Sequence, residues 1–239
     1  MHAFVEAFEF IGRNGSVAGQ TGLPTLTHLA LGTLKVAAIG LVISAVIAVP
    51  LGLWLGHIHR GSFLAINLGN IGRALPSLAV LAIGDAFLGL GLTVVELALV
   101  VLAVPPIITN SYLGVESVDP ELVDAARGMG MSERELLTRV ELPLALPLIF
   151  AGLRTASVFV VSTTTIASLA GFSGTLGDPI ANETSYHFAG VLGAAICVAA
   201  LALLVDGALA LVQRLFTPRG LRVEEEARVA PGAPVPGLT

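Results

Sequence analysis

Charge is what this sequence has least of. Only 12% of its 239 residues are Asp, Glu, Lys or Arg, while 55% are hydrophobic; a soluble domain carries about 25% charged residues. Mean hydropathy is +0.89, and a chain of this size cannot hide so much apolar surface in one water-facing core. It reads as an integral membrane protein. Cysteine is nearly missing as well. Cys197 stands alone in an apolar run, which excludes an intrachain disulfide framework and any cysteine-based metal site. Lys and Arg number 12 against 17 acidic residues, which argues against nucleic acid as a partner. The five histidines lack ligand spacing, so no metal and no cofactor is expected. Trp54, Tyr112 and Tyr186 are too scattered to build an aromatic cage for a cation. Glu6 and Glu9 stand where a signal peptide needs basic residues, so no cleaved signal is expected.

What the chain does have is long apolar runs. A helix crossing about 30 Å of hydrocarbon needs roughly 20 apolar residues. Five such spans are expected: Val36–Gly56, Ser62–Gly84, Leu90–Leu113, Pro147–Ala170 and His187–Val212. The few charges crowd into Val115–Glu141 and Arg214–Arg228. If Val115–Leu146 faces the cytoplasm, so do Arg60, Arg127, Arg134, Arg139, Arg214, Arg219, Arg222 and Arg228, with only Arg13 opposite. That positive-inside bias sets the amino terminus outside and the carboxyl terminus inside a cytoplasmic membrane. The expected organisation is an extracytoplasmic segment 1–22, a transmembrane domain 23–216 with a cytoplasmic loop 115–146, and a disordered cytoplasmic tail 217–239 without apolar periodicity. No internal repeat is visible, which counts against an inverted-repeat secondary transporter.

The loop is the most structured stretch of polar sequence. Asp119-Pro120-Glu121 is a helix start, with an N-cap, a proline in the first turn and an acid facing the positive end of the dipole. That helix is expected to stop in Gly128-Met129-Gly130. Ser132 with Glu135 is a capping box. It opens a second helix expected to end before Pro143, with Leu136, Leu137 and Val140 as an apolar docking ridge.

Within this loop, Asp124-Ala125-Ala126, three residues, Gly130, nine residues, Val140, one residue and Leu142-Pro143 resemble the EAA motif of ABC importer permeases, with Asp for Glu and Val for Ile. The resemblance implies an all-α type I importer permease fold of about five transmembrane helices, whose loop holds a coupling helix seated on a separate ATPase subunit. It assigns ATPase coupling to Asp124, Ala125, Ala126, Gly130, Ser132, Leu136, Leu142 and Pro143. Two ATPases closing on ATP would rock two permease subunits between states. This chain has no GxxxxGK[ST] loop, so it is expected to be no enzyme, with hydrolysis on the other polypeptide.

Further stretches resemble the permeases of glycine betaine/carnitine/choline importers. These are His28-Leu29, Val49-Pro50-Leu51-Gly52, Leu75-Pro76-Ser77-Leu78-Ala79, Pro105 to Asn110, and Gly171 to Asp178. Thr109 and Thr175 depart from that pattern, standing where a basic residue and a glycine are usual. The resemblance implies a quaternary-ammonium osmoprotectant such as glycine betaine, choline, carnitine or proline betaine. It also implies an extracytoplasmic binding protein that recognises it and a second permease subunit, identical or paralogous. Methionine-type permeases share the plan, so another small solute stays open, as does a secondary transporter. Arg73, Pro76, Ser77, Asn110 and Ser162, Thr163, Thr164 and Thr165 are the candidate pathway, because polar groups inside apolar spans need partners. Four consecutive hydroxyls cover all faces of a helix, so no more than about two can line one path. Bonding back to preceding carbonyls is the alternative. Lys35 and Asp206 are expected to snorkel from span ends, and Arg154 to form a structural pair.

Overall fold

The structure, a computed structural model, describes residues 2–16, 22–59 and 61–217, without the side chains of 64–66 and 73. Arg60, Arg219, Arg222, Arg228 and the tail 218–239 expected to be disordered lie outside the described residues. Among the described residues every regular element is helical. The helices are α1 (His2–Gly12), α2 (Leu26–His57), α3 (Ser62–Ala74), α4 (Ser77–Leu88), α5 (Leu92–Glu116), α6 (Pro120–Gly128), α7 (Glu133–Leu136), α8 (Leu142–Ile166), α9 (Gly177–Ala181) and α10 (Glu183–Phe216).

Four stretches are long and apolar enough to cross a membrane: α2, α5, Glu133–Ala170 and α10. The expected single span Ser62–Gly84 is instead two helices, α3 and α4, each too short to cross alone. The break falls at Leu75 and Pro76, both extended in ψ, because a residue before proline is driven out of the α region. Gly69 to Arg73 stays helical.

At the centre stands α5, touched by α2, α3, α4 and α8. Between membrane helices the driving force is close packing, which small residues allow. At Gly52 of α2 an added Cβ would lie 2.5 Å from Ser111 Cβ and 2.8 Å from the Ile108 carbonyl. At Gly152 of α8 it would lie 2.7 Å from Asn110 Cβ and 3.0 Å from the Pro106 carbonyl. Leu81, Leu99, Ile107, Tyr112, Val160 and Val161 fill the space between.

The charges inside the spans resolve differently from one another. Arg154 donates from Nε and Nη2 to the two Asp206 carboxylate oxygens, each at 2.8 Å, so α8 is tied to α10 by a bidentate pair. Asp206 therefore does not snorkel from a span end; its partner is Arg154. Lys35 is exposed, and both carboxylate oxygens of Glu96 are buried without a hydrogen-bond partner. Outside the bundle, α1 packs on α10 through Ala7 and Phe10, and the Phe10 ring meets Tyr186 edge-on at 6.4 Å.

Candidate functional site: the capped polar loop and the polar groups of the spans

The loop folds as its caps dictate. The Asp119 carboxylate accepts from the Glu121 N–H at 2.9 Å and opens α6. The closing turn is a Schellman motif: Gly130 N–H donates to Arg127 O at 2.9 Å and Met131 N–H to Ala126 O at 3.2 Å. Gly130 sits at φ +84, the left-handed region that this motif demands. Ser132 then caps α7, with its hydroxyl accepting from Glu135 N–H and its own N–H donating to the Glu135 carboxylate at 3.1 Å.

The second loop helix does not end before Pro143. It passes through a π turn, Leu137–Glu141, and runs directly into α8. There the Leu142 N–H reaches Leu137 O, one residue further back than in an α-helix, and Pro143, which has no N–H to donate, follows directly on this wider turn. The expected docking ridge is corrected too. Leu136 is fully buried among Val118, Val123 and Ala126, with Val140 packed against them. It holds the two loop helices together and is not offered outward. The outward face is on α6 and its C-cap, where Asp124 and Ala125 are exposed and Leu122 and the capping Met129 are 50% and 73% exposed. Leu122, Ala125 and Met129 recur at helical spacing, a signal readable from the sequence but hidden behind the motif residues. Ala126 is buried, and Leu142 and Pro143 are half-buried.

Arg127 donates to the Glu133 carboxylate at 3.1 Å across the turn. That hydrogen bond and charge hold Glu133 below the ordinary carboxylate range. The Ser132 backbone and hydroxyl, then Arg139, do the same for Glu135. His57, at the end of α2, lies with Nδ1 2.6 Å from Glu141 and Nε2 3.3 Å from Glu133. This cluster is not evident from sequence; its trace is one acid, Glu141, immediately before the apolar run that begins at Leu142.

The candidate pathway groups differ in exposure and are bonded within their own helices. Ser162 is exposed and donates to Val158 O at 2.7 Å. Thr163, Thr164 and Thr165 are buried, with the last two donating to Val160 O and Val161 O. Asn110 Nδ2 donates to Pro106 O at 2.8 Å. Pro76 is exposed and Ser77 half-buried at the start of α4. The side chain of Arg73 lies outside those described.

At the other end of α8, the loop after Ala170 is closed by Asp178, whose oxygens accept from Ser168 Oγ at 2.9 Å and Gly174 N–H at 2.7 Å. Thr175, which stands where a glycine is usual, is buried and shares a 2.8 Å hydrogen bond with Ser168. Leu176 N–H donates to Thr33 Oγ1 on α2 at 2.9 Å. Among the described residues, no three His, Cys, Asp or Glu side chains gather as a metal site.

Comparison with known proteins agrees with this architecture. Residues 40–218 match the family described as "Binding-protein-dependent transport system inner membrane component". The chain is 37% identical over 194 residues to the glycine betaine/carnitine/choline transport system permease protein OpuCB of Bacillus subtilis, covering 81% of this chain and 89% of that protein. It is 35% identical over 223 residues to the choline transport system permease protein OpuBB of the same organism, covering 93% and 97%. Among solved structures, an inward-facing conformation of the MetNI methionine ABC transporter matches with a TM-score of 0.67 at 22% identity, covering 81% of this chain and 96% of that one. That likeness shows the fold. This multi-pass membrane protein therefore belongs to the family of binding-protein-dependent transport system inner membrane components, as a permease subunit.

Proposed function

We propose that the chain is the transmembrane subunit of an ATP-driven importer for small quaternary-ammonium osmoprotectants: glycine betaine, choline, carnitine or proline betaine. The observation that carries this reading is the capped helical loop, with Asp124, Ala125, Leu122 and Met129 facing outward. A rigid amphipathic knob of that kind suits a groove on a separate ATPase and has no use in a transporter that works alone. The substrate class is supported by the choline and glycine betaine/carnitine/choline permeases to which the chain is similar. In this reading ATP is hydrolysed on the partner subunit, a second permease subunit faces this one, and a binding protein outside delivers the solute. The amino terminus is outside and the carboxyl terminus inside. Arg73, Pro76, Ser77, Asn110 and Ser162 to Thr165 remain the proposed pathway, with Ser77 and Ser162 the hydroxyls nearest an open face.

Uptake of labelled glycine betaine into proteoliposomes holding the complete complex tests the substrate. Choline, carnitine and proline betaine should compete and methionine should not; competition by methionine alone would reassign it. Orientation is tested in a Cys197→Ala background with Ser173→Cys and Met129→Cys, both at exposed positions. The first should react with a membrane-impermeant maleimide added outside intact cells, and the second only after lysis. Reaction of both from one side overturns the topology.

A further inference from the structure

We propose that His57 is a positioning residue that clamps the cytoplasmic loop to the first long membrane helix, so that loop displacement is passed into the bundle. The proposal rests on the coupling function proposed above for the loop. It starts from a carboxylate. The Glu141 side chain is 2% exposed, and a buried charge must be paired and hydrogen-bonded to persist. Its hydrogen-bond partner is His57 Nδ1 at 2.6 Å, a side chain itself 11% exposed. The other ring nitrogen, Nε2, lies 3.3 Å from Glu133 Oε2, which in turn accepts from Arg127 at 3.1 Å.

One imidazole thus joins four segments: the end of α2, the start of α7, the π turn before α8 and, through Glu133, the end of α6. The two contacts are unequal. Glu133 and Arg127 are 62% and 44% exposed, and exposed pairs contribute little. Glu141 is the anchor and Glu133 the guide. Position reinforces chemistry on both sides. His57 is the last residue of α2, where the helix dipole favours a group that can carry positive charge. Gly56 beside it is buried tightly against α5, since an added Cβ would lie 2.7 Å from Val115 Cβ. The imidazole is therefore held on a helix end that cannot drift. Glu141 sits in the π turn, where the loop-to-α8 rod widens from α-helical bonding. Clamping the rod there keeps that turn from absorbing the movement it should transmit.

The complete complex in proteoliposomes tests this through glycine betaine taken up per phosphate released, with retention of the ATPase subunit on purification measured alongside. In His57→Ala the ATPase should be retained while uptake per ATP falls about tenfold, within the range by which residues along a coupling route change coupling. Glu141→Ala should fall as far, and the double variant no further, because the two act as one unit. His57→Asn, whose amide stands where Nδ1 stood and so keeps a donor toward Glu141 but not the second contact, should fall about threefold. It carries the test if the alanine variant does not assemble. A wild-type ratio in either His57 variant, or single effects that multiply in the double variant, overturns the clamp. If wild-type protein itself neither retains an ATPase nor couples uptake to hydrolysis, the parent reading of the loop fails instead.

Discussion

Gly130→Trp should leave the subunit inserted in the membrane at normal level and abolish uptake. The physical reason has two parts that can be separated. At φ +84, an L-residue costs about 1–2 kcal/mol by steric conflict with its own backbone, and the Schellman hydrogen bonds of Gly130 and Met131 depend on that conformation. Relaxing it swings α6 relative to α7 and misdirects Leu122, Ala125 and Met129. No other group lies within 4 Å of a Cβ at this position, so the indole starts from open space at the surface of the loop. Gly130→Ala isolates the strain, and uptake should fall about tenfold for the 1–2 kcal/mol involved. Tryptophan adds the obstruction and should bring uptake below detection. Full retention of the ATPase with normal substrate-stimulated hydrolysis in Gly130→Trp would show that the turn plays no part in coupling.

The second large effect concerns assembly of the bundle. Gly52→Leu should prevent accumulation of folded protein. The clash it creates is with the Ile108 carbonyl and the Tyr112 N–H as well as with the Ser111 side chain, and backbone atoms of a central helix cannot rotate away. Overpacking commonly costs about 1–3 kcal/mol and more where helices must separate. The contrast is Gly207→Leu on α10, where nothing lies within 4 Å of the added Cβ and the change should be neutral. Size-exclusion profiles and thermal unfolding in detergent report both variants. Equal yield and Tm for the two would mean that α2 and α5 are not packed at Gly52 as described.

Much of this was legible in the sequence because it is local. The caps at Asp119 and Ser132, the glycine turn and the apolar spans each depend on residues within a few positions of one another. What was not legible depends on which residues meet across the bundle. Arg154 read as half of a structural pair, but Asp206 read as a snorkelling acid and not as its partner, since nothing in spacing says that two distant positions will share a bidentate bond. Leu136 read as part of an outward ridge. Periodicity shows that a helix has an apolar face but not whether a neighbouring helix or a partner covers it. Pro143 read as a stop because proline usually ends a helix, and the π turn that accommodates it leaves no simple signature. The four hydroxyls from Ser162 to Thr165 show the same limit. Their polarity is evident in sequence, whereas their back-bonding to carbonyls is set by the helix that holds them.

Two ties bind α2 to the chain on either side of α8: Leu176, in the loop that follows α8, donates to Thr33, and Glu141, in the π turn that precedes α8, meets His57. Along α2 the two ties are about 36 Å apart at 1.5 Å per residue. Two struts joined by a rung at each end make a braced frame. Sliding one helix past the other by a single turn, about 5.4 Å, would break both rungs at once, so the frame resists shear and moves as a single panel. Whatever rearrangement opens a route for solute must then be taken up elsewhere, and the break at Leu75 and Pro76 is the interruption nearest to hand.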